Sequence, residues 1–346
     1  MSASALAAVP PARVRPIPWR RLAWVTWRRQ RATIFATLGL LGLLAIYLVV
    51  TGLQMRSAWH TVQACTPQQS RSCNFAWANF KNTHSNPGII SALFIFAPLL
   101  IGAFAGAPLI GREFETGTIR YAWTQGVGRL RWAIALIVPG ALSVALLAGA
   151  FGVLISWHDR PLWQADIAPR LQPSEFPATG LAIIGWSLAA YAVGVLAGFL
   201  WRRMLPALAT AIVTTFGLAL AASKLRLHYL PPLTTKSLDY VPGSETITQW
   251  WEKAGVHVST ADINTALQTA GVQQIDVGGG GKTTPSAPGE GADPVTYLLH
   301  HGYTQSTSYQ PAGRYRTFQW IEFGWLTALA VLLLTATLLL VRRRDA

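Results

Sequence analysis

Six long apolar stretches run through the chain, separated by segments that are rich in arginine or in small polar residues. They cover roughly residues 33–53, 89–110, 132–156, 179–200, 204–222 and 320–341. Each holds about 20 residues, and a helix of ~20 residues spans the ~30 Å hydrocarbon core of a bilayer. No Lys, Arg or Asp lies inside any of them. The pattern therefore predicts an all-α integral membrane protein with six transmembrane helices.

The positions of the basic residues indicate the orientation of these spans. More than half of the 28 Lys and Arg residues fall in the N-terminus, the loop after the second span, the turn after the fourth and the C-terminal tail. Basic residues favour the cytoplasmic side, so both termini are predicted to be cytoplasmic. The loops 54–88, 157–178 and 223–319 then face outward. Lys224 and Arg226 run against the rule, and we interpret them as side chains that reach the outer head groups.

The segment before the first span has an amphipathic pattern. Over residues 17–31, Trp and small residues share one helical face, and Arg residues take the other. Trp favours the membrane interface and Arg favours anionic head groups. We expect a helix lying on the inner leaflet; the alternative is a plain basic flank without a helix. The candidate interfacial residues are Trp19, Arg20, Arg21, Trp24, Trp27 and Arg28.

The pattern divides the chain into four parts. They are a tail with the interfacial helix (1–32), spans one to five (33–222), an outward segment (223–319) and the last span with its basic tail (320–346). The outward segment is predicted to be a loop or a small helical subdomain, too polar to bury much core alone. We expect its helices at residues 249–253, after the capping residue Ser259, and at 294–301.

Only two cysteines occur, Cys65 and Cys73, and both lie in the first outward loop. A disulfide persists outside the cytoplasm. The sequence thus favours a Cys65–Cys73 bridge, with two free thiols as the alternative.

Small residues recur at helical spacing inside several spans and allow helix backbones to approach closely. They predict a packed bundle or a seam between two copies of the chain. The candidate packing residues are Gly102 and Gly106 in the second span and Gly194 and Gly198 in the fourth.

Composition and motifs exclude several functions. Charged residues make up 12% of the chain, against about 25% in soluble proteins. The net charge of +14 comes mostly from basic residues that flank the spans, so it does not indicate a nucleic-acid-binding face. The glycine-rich stretch 278–284 lacks the spacing of a phosphate-binding loop, and the histidines form no metal-binding pattern. Because the spans also lack central charges of the kind that proton relays use, any transport would draw its energy from another chain.

The most specific segment is the cytoplasmic loop after the second span, in which two glutamates flank a phenylalanine. Residues Arg112 to Thr118 read Arg-Glu-Phe-Glu-Thr-Gly-Thr. This segment, with the six-span layout, resembles the R-E-x-E-x-G-T segment of ABC-2 type transporter permeases. Residues 24–31 and 309–322 are also similar to segments of the family's actinobacterial members.

The resemblance implies a function and partners. Two such permeases pair in the cell membrane and act with separate ATPase subunits, which bind ATP and Mg²⁺, so this chain would bind no cofactor and be no enzyme itself. By analogy, six residues would form the coupling contact with the ATPase: Arg112, Glu113, Phe114, Glu115, Gly117 and Thr118. The apolar spans suit an amphipathic or lipid-like cargo.

Two other functions compete with the permease. One is a membrane sensor or scaffold whose outward segment 223–319 binds a ligand or partner. The other is a membrane-embedded enzyme, although no catalytic pattern supports it.

Overall fold

The computed structural model describes residues 19–65, 70–84, 89–117, 129–236, 241–270 and 294–343. Most of them are helical. The helices are α1 (Trp19–Gln63), α2 (Arg71–His84), α3 (Ile89–Leu100), α4 (Ala107–Glu115), α5 (Arg129–His158), α6 (Arg160–Gln164), α7 (Ala182–Trp201), α8 (Met204–Arg226), α9 (Thr260–Thr269), α10 (Pro294–His300) and α11 (Tyr315–Arg343).

Within these residues, five helical segments are by themselves long and apolar enough to cross a membrane. They are Gly39–Gln63 of α1, all of α5, α7 and α8, and Ala312–Arg343, which contains α11. The protein is thus a mainly helical membrane protein, as predicted. The second predicted span is also helical, but a π-helical segment, Ile101–Gly106, joins α3 to α4. Pro108 follows that segment, and because it has no backbone N–H it cannot continue the regular hydrogen-bond ladder there.

Helix α1 is longer than the sequence pattern predicted. Residues 19–31 are helical, but α1 continues through the predicted boundary at residue 32 as one helix of 45 residues. A helix of this length is roughly 65–70 Å long, about twice the thickness of the hydrocarbon core. The side chains of residues 19–34 lie outside the described part, so the interfacial role of Trp19, Arg20, Arg21, Trp24, Trp27 and Arg28 stays a prediction.

Helix α7 forms the centre of the bundle. It packs against α4, α5, α8, α11 and the π-helical segment. Of its most apolar stretch 78% is buried within the chain, compared with 11–22% for the other four spanning segments. A helix that is apolar on every face is suited to such a position, and α7 consists almost entirely of small and apolar residues.

Glycines allow a close backbone contact within this bundle. Gly194 of α7 lies against the carbonyl oxygen of Gly102, and a Cβ atom at Gly194 would lie 2.9 Å from the Cα of Gly106. A Cβ at Gly198 would overlap the carbonyl oxygen of Ala107. The structure therefore brings together the two glycine pairs that the sequence singled out, as a seam between α7 and the second span of the same chain.

The segment between α8 and α11 contains a β-sheet, which the sequence analysis did not predict. Four strands, β1 (Leu233–Thr235), β2 (Glu245–Lys253), β3 (Val256–Val258) and β4 (Tyr303–Gln310), pair antiparallel in the order β1-β4-β2-β3. We call residues 233–310 the subdomain. Ala254 and Gly255, with φ of 52° and 79°, connect β2 to β3 by a two-residue turn typical of hairpins.

The prediction of a purely helical subdomain is therefore wrong, and the expected helix at 249–253 lies within β2. The β-branched and aromatic residues of β2 fit a strand, and pairing with residues of β4 that lie 50 to 65 positions away stabilises the extended conformation. The other two helices form as predicted. The Ser259 hydroxyl accepts the Asp262 N–H at the start of α9, and α10 begins at Pro294.

The subdomain also has a small core of its own, contrary to expectation. The core consists of Trp251, Ile263, Leu267, Leu298 and Tyr303. These residues come from β2, α9, α10 and the start of β4, so packing across the sheet stabilises all four elements together.

Candidate functional site

One end of the bundle gathers basic residues from several helices. Ile110 of α4, Ala133 of α5, Phe199 of α7 and Val341 of α11 pack in one cluster and fix these helix ends next to one another. The adjoining arginines are Arg112, Arg129, Arg131, Arg202, Arg203, Arg342 and Arg343. We call this the arginine end; it contains the predicted coupling segment.

The coupling segment forms the end of α4 and the turn after it. The Thr116 N–H donates to the Arg112 carbonyl at 3.0 Å, and the Gly117 N–H donates to the Phe114 carbonyl at 3.2 Å. Gly117 has a φ of +69°, which favours glycine and ends the helix. Thr118 lies outside the described residues.

Glu115 joins α4 to the start of α8. Its Oε1 atom accepts the backbone N–H of Met204 at 2.7 Å. The first backbone N–H groups of a helix have no partner inside that helix, and a carboxylate there is also favoured by the helix dipole. Glu115 thus caps α8 from a neighbouring helix.

Phe114 packs partly against its own chain, and its role as an anchor for a partner stays a prediction. It is half-buried, and its ring lies edge-on to Phe199 with 5.9 Å between centroids. The Arg202 guanidinium lies over the same ring at 5.5 Å. Arg202 ends α7 with a left-handed φ of 53°, which directs the chain toward α8. Phe114 therefore attaches α4 to the α7–α8 turn.

Among the predicted coupling residues, Arg112 and Glu115 are exposed, whereas Glu113 and Phe114 are half-buried. Phe114 and Glu115 also contact α7 and the start of α8. The role of the segment in docking a partner stays a prediction.

A buried polar cluster lies at the opposite end of the bundle, at the end of α8 and near the start of α11. Arg226 donates to both carboxylate oxygens of Glu322, at 2.8 and 2.7 Å. Arg226 is 2% exposed and Glu322 is fully buried. The interpretation of Arg226 as a side chain that reaches the head groups is therefore wrong: it pairs inside the protein.

Neighbouring groups satisfy the same carboxylate. The Trp186 indole N–H donates to Glu322 at 2.6 Å, and the Tyr229 hydroxyl lies 3.4 Å from the other oxygen. The ring of Phe176 lies 4.4 Å from the guanidinium. Burial, and secondarily the Glu322 charge, raises the pKa of Tyr229 to about 12, so its hydroxyl stays protonated as a donor. A buried ion pair requires such additional hydrogen bonds.

Sequence reasoning missed this cluster, although a signal existed. Arg226 and Glu322 are opposite charges at the outer ends of the fifth and sixth predicted spans. Charged residues at such positions are often paired. The two residues are 96 positions apart, so a local sequence pattern did not show that they pair.

The chain between α8 and α11 is tied to the bundle close to this cluster. The amide of Gln310 donates to the carbonyl oxygens of Leu227 and Leu230, at 2.9 and 2.8 Å. Arg314 donates to the Pro231 carbonyl at 2.6 Å. The last strand of the subdomain is therefore held against the end of α8.

A disulfide joins Cys65 and Cys73, the pair that the sequence predicted, with 5.6 Å between their Cα atoms. It lies between the end of α1 and the start of α2. Phe80 of α2 packs on Trp59 of α1 with 5.3 Å between centroids, so the covalent bond and an aromatic contact hold the two helices together.

The described residues contain no group of three His, Cys, Asp or Glu side chains able to hold a metal ion. The glycine-rich stretch 278–284 lies outside the described residues.

Comparison with known proteins identifies the family. The model of the ABC-2 membrane transporter related family matches residues 38–226. This chain belongs to that family. The match runs from the first span to the end of α8 and includes the coupling segment and all four seam glycines, whereas the subdomain and α11 lie beyond it. No curated protein and no solved structure matches the chain.

Proposed function

We propose that this chain is the permease subunit of an ATP-driven exporter in the cell membrane. Membership of the ABC-2 related family supports a membrane transport subunit. Export, the ATPase partner and the cell membrane as location are parts of the proposal. ATP and Mg²⁺ bind in the partner, and two copies of the permease, each with an ATPase, form the transporter.

The observation that carries the proposal is the arrangement of α4 at the arginine end. Arg112 is exposed on the last turn of α4, and Glu113 lies half-buried next to it. On the same turn, Phe114 and Glu115 hold the α7–α8 turn by the contacts with Phe199 and with the Met204 N–H. When a partner moves the last turn of α4, these direct contacts therefore transmit the movement to the central helix α7.

The proposed orientation follows from the same arrangement. The arginine end is cytoplasmic, where an ATPase docks and where basic residues are favoured. The subdomain and the Cys65–Cys73 bridge then lie outside, where a disulfide persists.

A second candidate is a sensor or scaffold. The observation in its favour is the subdomain, which has its own sheet and core and lies beyond the family match. In this function the subdomain binds the partner and the arginine end binds none.

Purification of the intact chain from its native membranes in a mild detergent distinguishes the two. We expect an ATP-binding subunit to copurify and to hydrolyse ATP. The double substitution Arg112→Ala and Glu113→Ala should release that subunit, since charged contacts at an interface each contribute about 2 kcal/mol or more.

The matched control is Arg343→Ala, which removes an exposed charge from the same end but outside the coupling segment, and should retain the subunit. A chain that purifies alone, with no ATPase activity in any preparation, would contradict the transporter and favour the sensor or scaffold.

A further inference from the structure

An exposed arginine lies against two aromatic rings at the end of the bundle opposite the arginine end. The Arg170 guanidinium carbon is 4.7 Å from the centre of the Trp163 ring and 5.9 Å from that of Tyr315. Trp163 belongs to α6, Tyr315 is the first residue of α11, and their ring centres are 6.4 Å apart. We call these three residues the Arg170 site.

The protein holds the Tyr315 ring in place. Its hydroxyl donates to the hydroxyl oxygen of Thr179 at 3.0 Å, and Thr179 is fully buried. The ring also lies edge-on to that of Phe176, with 5.7 Å between centroids. A guanidinium group is attracted to the face of an aromatic ring. The two rings therefore keep the Arg170 side chain in one position.

The edge of the guanidinium group remains available for a ligand. Ring contact uses the face of the group, whereas its N–H donors lie in its plane. Within the described residues, Arg170 forms no ion pair and its side chain forms no hydrogen bond. Two carboxylates of the same segment have other contacts, since Asp159 lies 2.6 Å from His158 and Asp166 accepts the Gly243 N–H at 2.7 Å. The site thus presents a fixed positive charge with donors to spare.

The length of α11 places this site at the level of the lipid head groups. α11 has 29 residues, which at about 1.5 Å each give a length of about 43 Å. A bilayer with its head groups is about 40–45 Å thick, so Tyr315 and Arg343 lie in opposite head-group layers. Trp and Tyr are favoured in these layers. The end of α5 at His158 and the start of α7 at Ala182 lie at the same end of the bundle.

A phosphate group is the ligand that fits a guanidinium held in this way. Arginine binds phosphate through two parallel N–H···O bonds in the plane of the guanidinium group. Phosphate at this level belongs to phospholipids, and basic side chains between membrane helices bind lipid head groups. Inorganic phosphate offers the same oxygen atoms, but it has no acyl chains that keep it in the bilayer.

We propose that the Arg170 site binds the phosphate of a phospholipid head group. Arg170 is the binding residue, and Trp163 and Tyr315 are positioning residues that hold it. The bound lipid lies in the leaflet that contains the start of α11. Arg170 therefore makes the head-group contact that the sequence analysis expected of Arg226, which is buried. The site does not depend on the proposed transport function.

Photocrosslinking tests the proposal on the purified full-length chain in an uncharged maltoside detergent. The probe is phosphatidylglycerol with a photoreactive group on its head group, and mass spectrometry identifies the labelled peptides. We expect label on residues 159–181. Excess phosphatidylglycerol should compete with the probe. Diacylglycerol, which has the same acyl chains without phosphate, and inorganic phosphate at the same concentration should not.

Substitutions separate the binding residue from the positioning residues. Arg170→Ala should lower the labelling of residues 159–181 about tenfold, because hydrogen bonds between charged groups are lost. Arg170→Lys retains the charge but not the planar arrangement of donors, so it should recover only part of the labelling. Trp163→Leu removes a ring beneath the guanidinium group and should lower the labelling several-fold, whereas Trp163→Phe retains a ring and should keep most of it.

Arg160→Ala is the matched control. Arg160 is exposed in the same segment but, among the described residues, lacks the ring contacts of Arg170, so its substitution should leave the labelling unchanged. Labelling at the arginine end should be equal in all variants, which shows that each of them is folded. Equal labelling of residues 159–181 in wild type and Arg170→Ala would overturn the proposal. Competition by inorganic phosphate as strong as that by phosphatidylglycerol would overturn it as well.

Discussion

Arg226 and Glu322 join the ends of α8 and α11 by two parallel hydrogen bonds of 2.8 and 2.7 Å. Such a two-point contact between guanidinium and carboxylate fixes orientation as well as distance. The pair lies beside the contacts that hold the subdomain to α8. The pair therefore helps to fix the position of the last span and of the strand that precedes it, together with the packing of α11 on α7.

Removal of one partner of this pair should strongly destabilise the protein. Glu322→Ala or Arg226→Ala leaves an uncompensated buried charge, which costs about 3–5 kcal/mol. The measurement is thermal unfolding of the purified chain. The double substitution Arg226→Met and Glu322→Leu should cost less than either single change, because it buries no unpaired charge. A double variant as unstable as the sum of the single ones would contradict this account.

Substitution of a seam glycine should separate the second span from α7. Gly194→Ala places a Cβ against the Gly102 carbonyl oxygen, and overpacking of this kind costs about 1–3 kcal/mol. The melting temperature measures the loss. Gly217→Ala in α8 is the control, because a Cβ at Gly217 meets no atom within 4 Å. Equal melting temperatures for the two variants would contradict this prediction, because the helices would then accommodate the added methyl group at no cost.

Glu115→Ala should uncouple α4 from α8 without releasing the proposed ATPase. The variant removes the acceptor of the Met204 N–H, and loss of a helix cap costs about 0.5–2 kcal/mol. We expect the ATPase to copurify as in the wild type but transport-stimulated hydrolysis to fall. Glu115→Gln, which retains an acceptor oxygen, should recover part of it. Loss of the ATPase subunit from Glu115→Ala would instead place Glu115 in the docking contact.

The Cys65–Cys73 bridge should be intact in freshly isolated membranes. Mass spectrometry of the non-reduced protein should find one linked peptide that contains both residues. The double substitution to Ser should lower stability by about 2.5 kcal/mol in the chain-entropy model. Two thiols that react with an alkylating reagent before reduction would contradict both the bridge and the outward position of this segment.

Labelling in intact cells tests the orientation. In a variant with both native cysteines changed to Ser, a single cysteine is placed at Gln268 of α9 or at Arg343 of α11, both of which are exposed. An impermeant reagent should label the Gln268→Cys variant and spare the Arg343→Cys variant. The reverse pattern would place the arginine end outside and remove the basis for ATPase docking there.

The sequence by itself determined the features that depend on local composition and spacing. Apolar stretches of about 20 residues predicted the membrane helices because the bilayer requires that length and no charge inside. Ser259 predicted the start of α9 because its hydroxyl caps a backbone N–H three residues away. The glycine spacing identified the faces of the second and fourth spans that allow close approach, although not which helices would meet.

Only the tertiary structure decided features that depend on residues far apart in the chain. β2 is a strand because it pairs with β4, and a pattern within residues 245–253 does not contain that partner. Phe114 turns inward because Phe199 and Arg202 lie beside it. Arg226 is buried because Glu322, 96 residues away, neutralises its charge. Burial of a charge or an aromatic ring depends on the partner that long-range packing supplies, and a linear pattern of hydrophobic and polar residues does not record that partner.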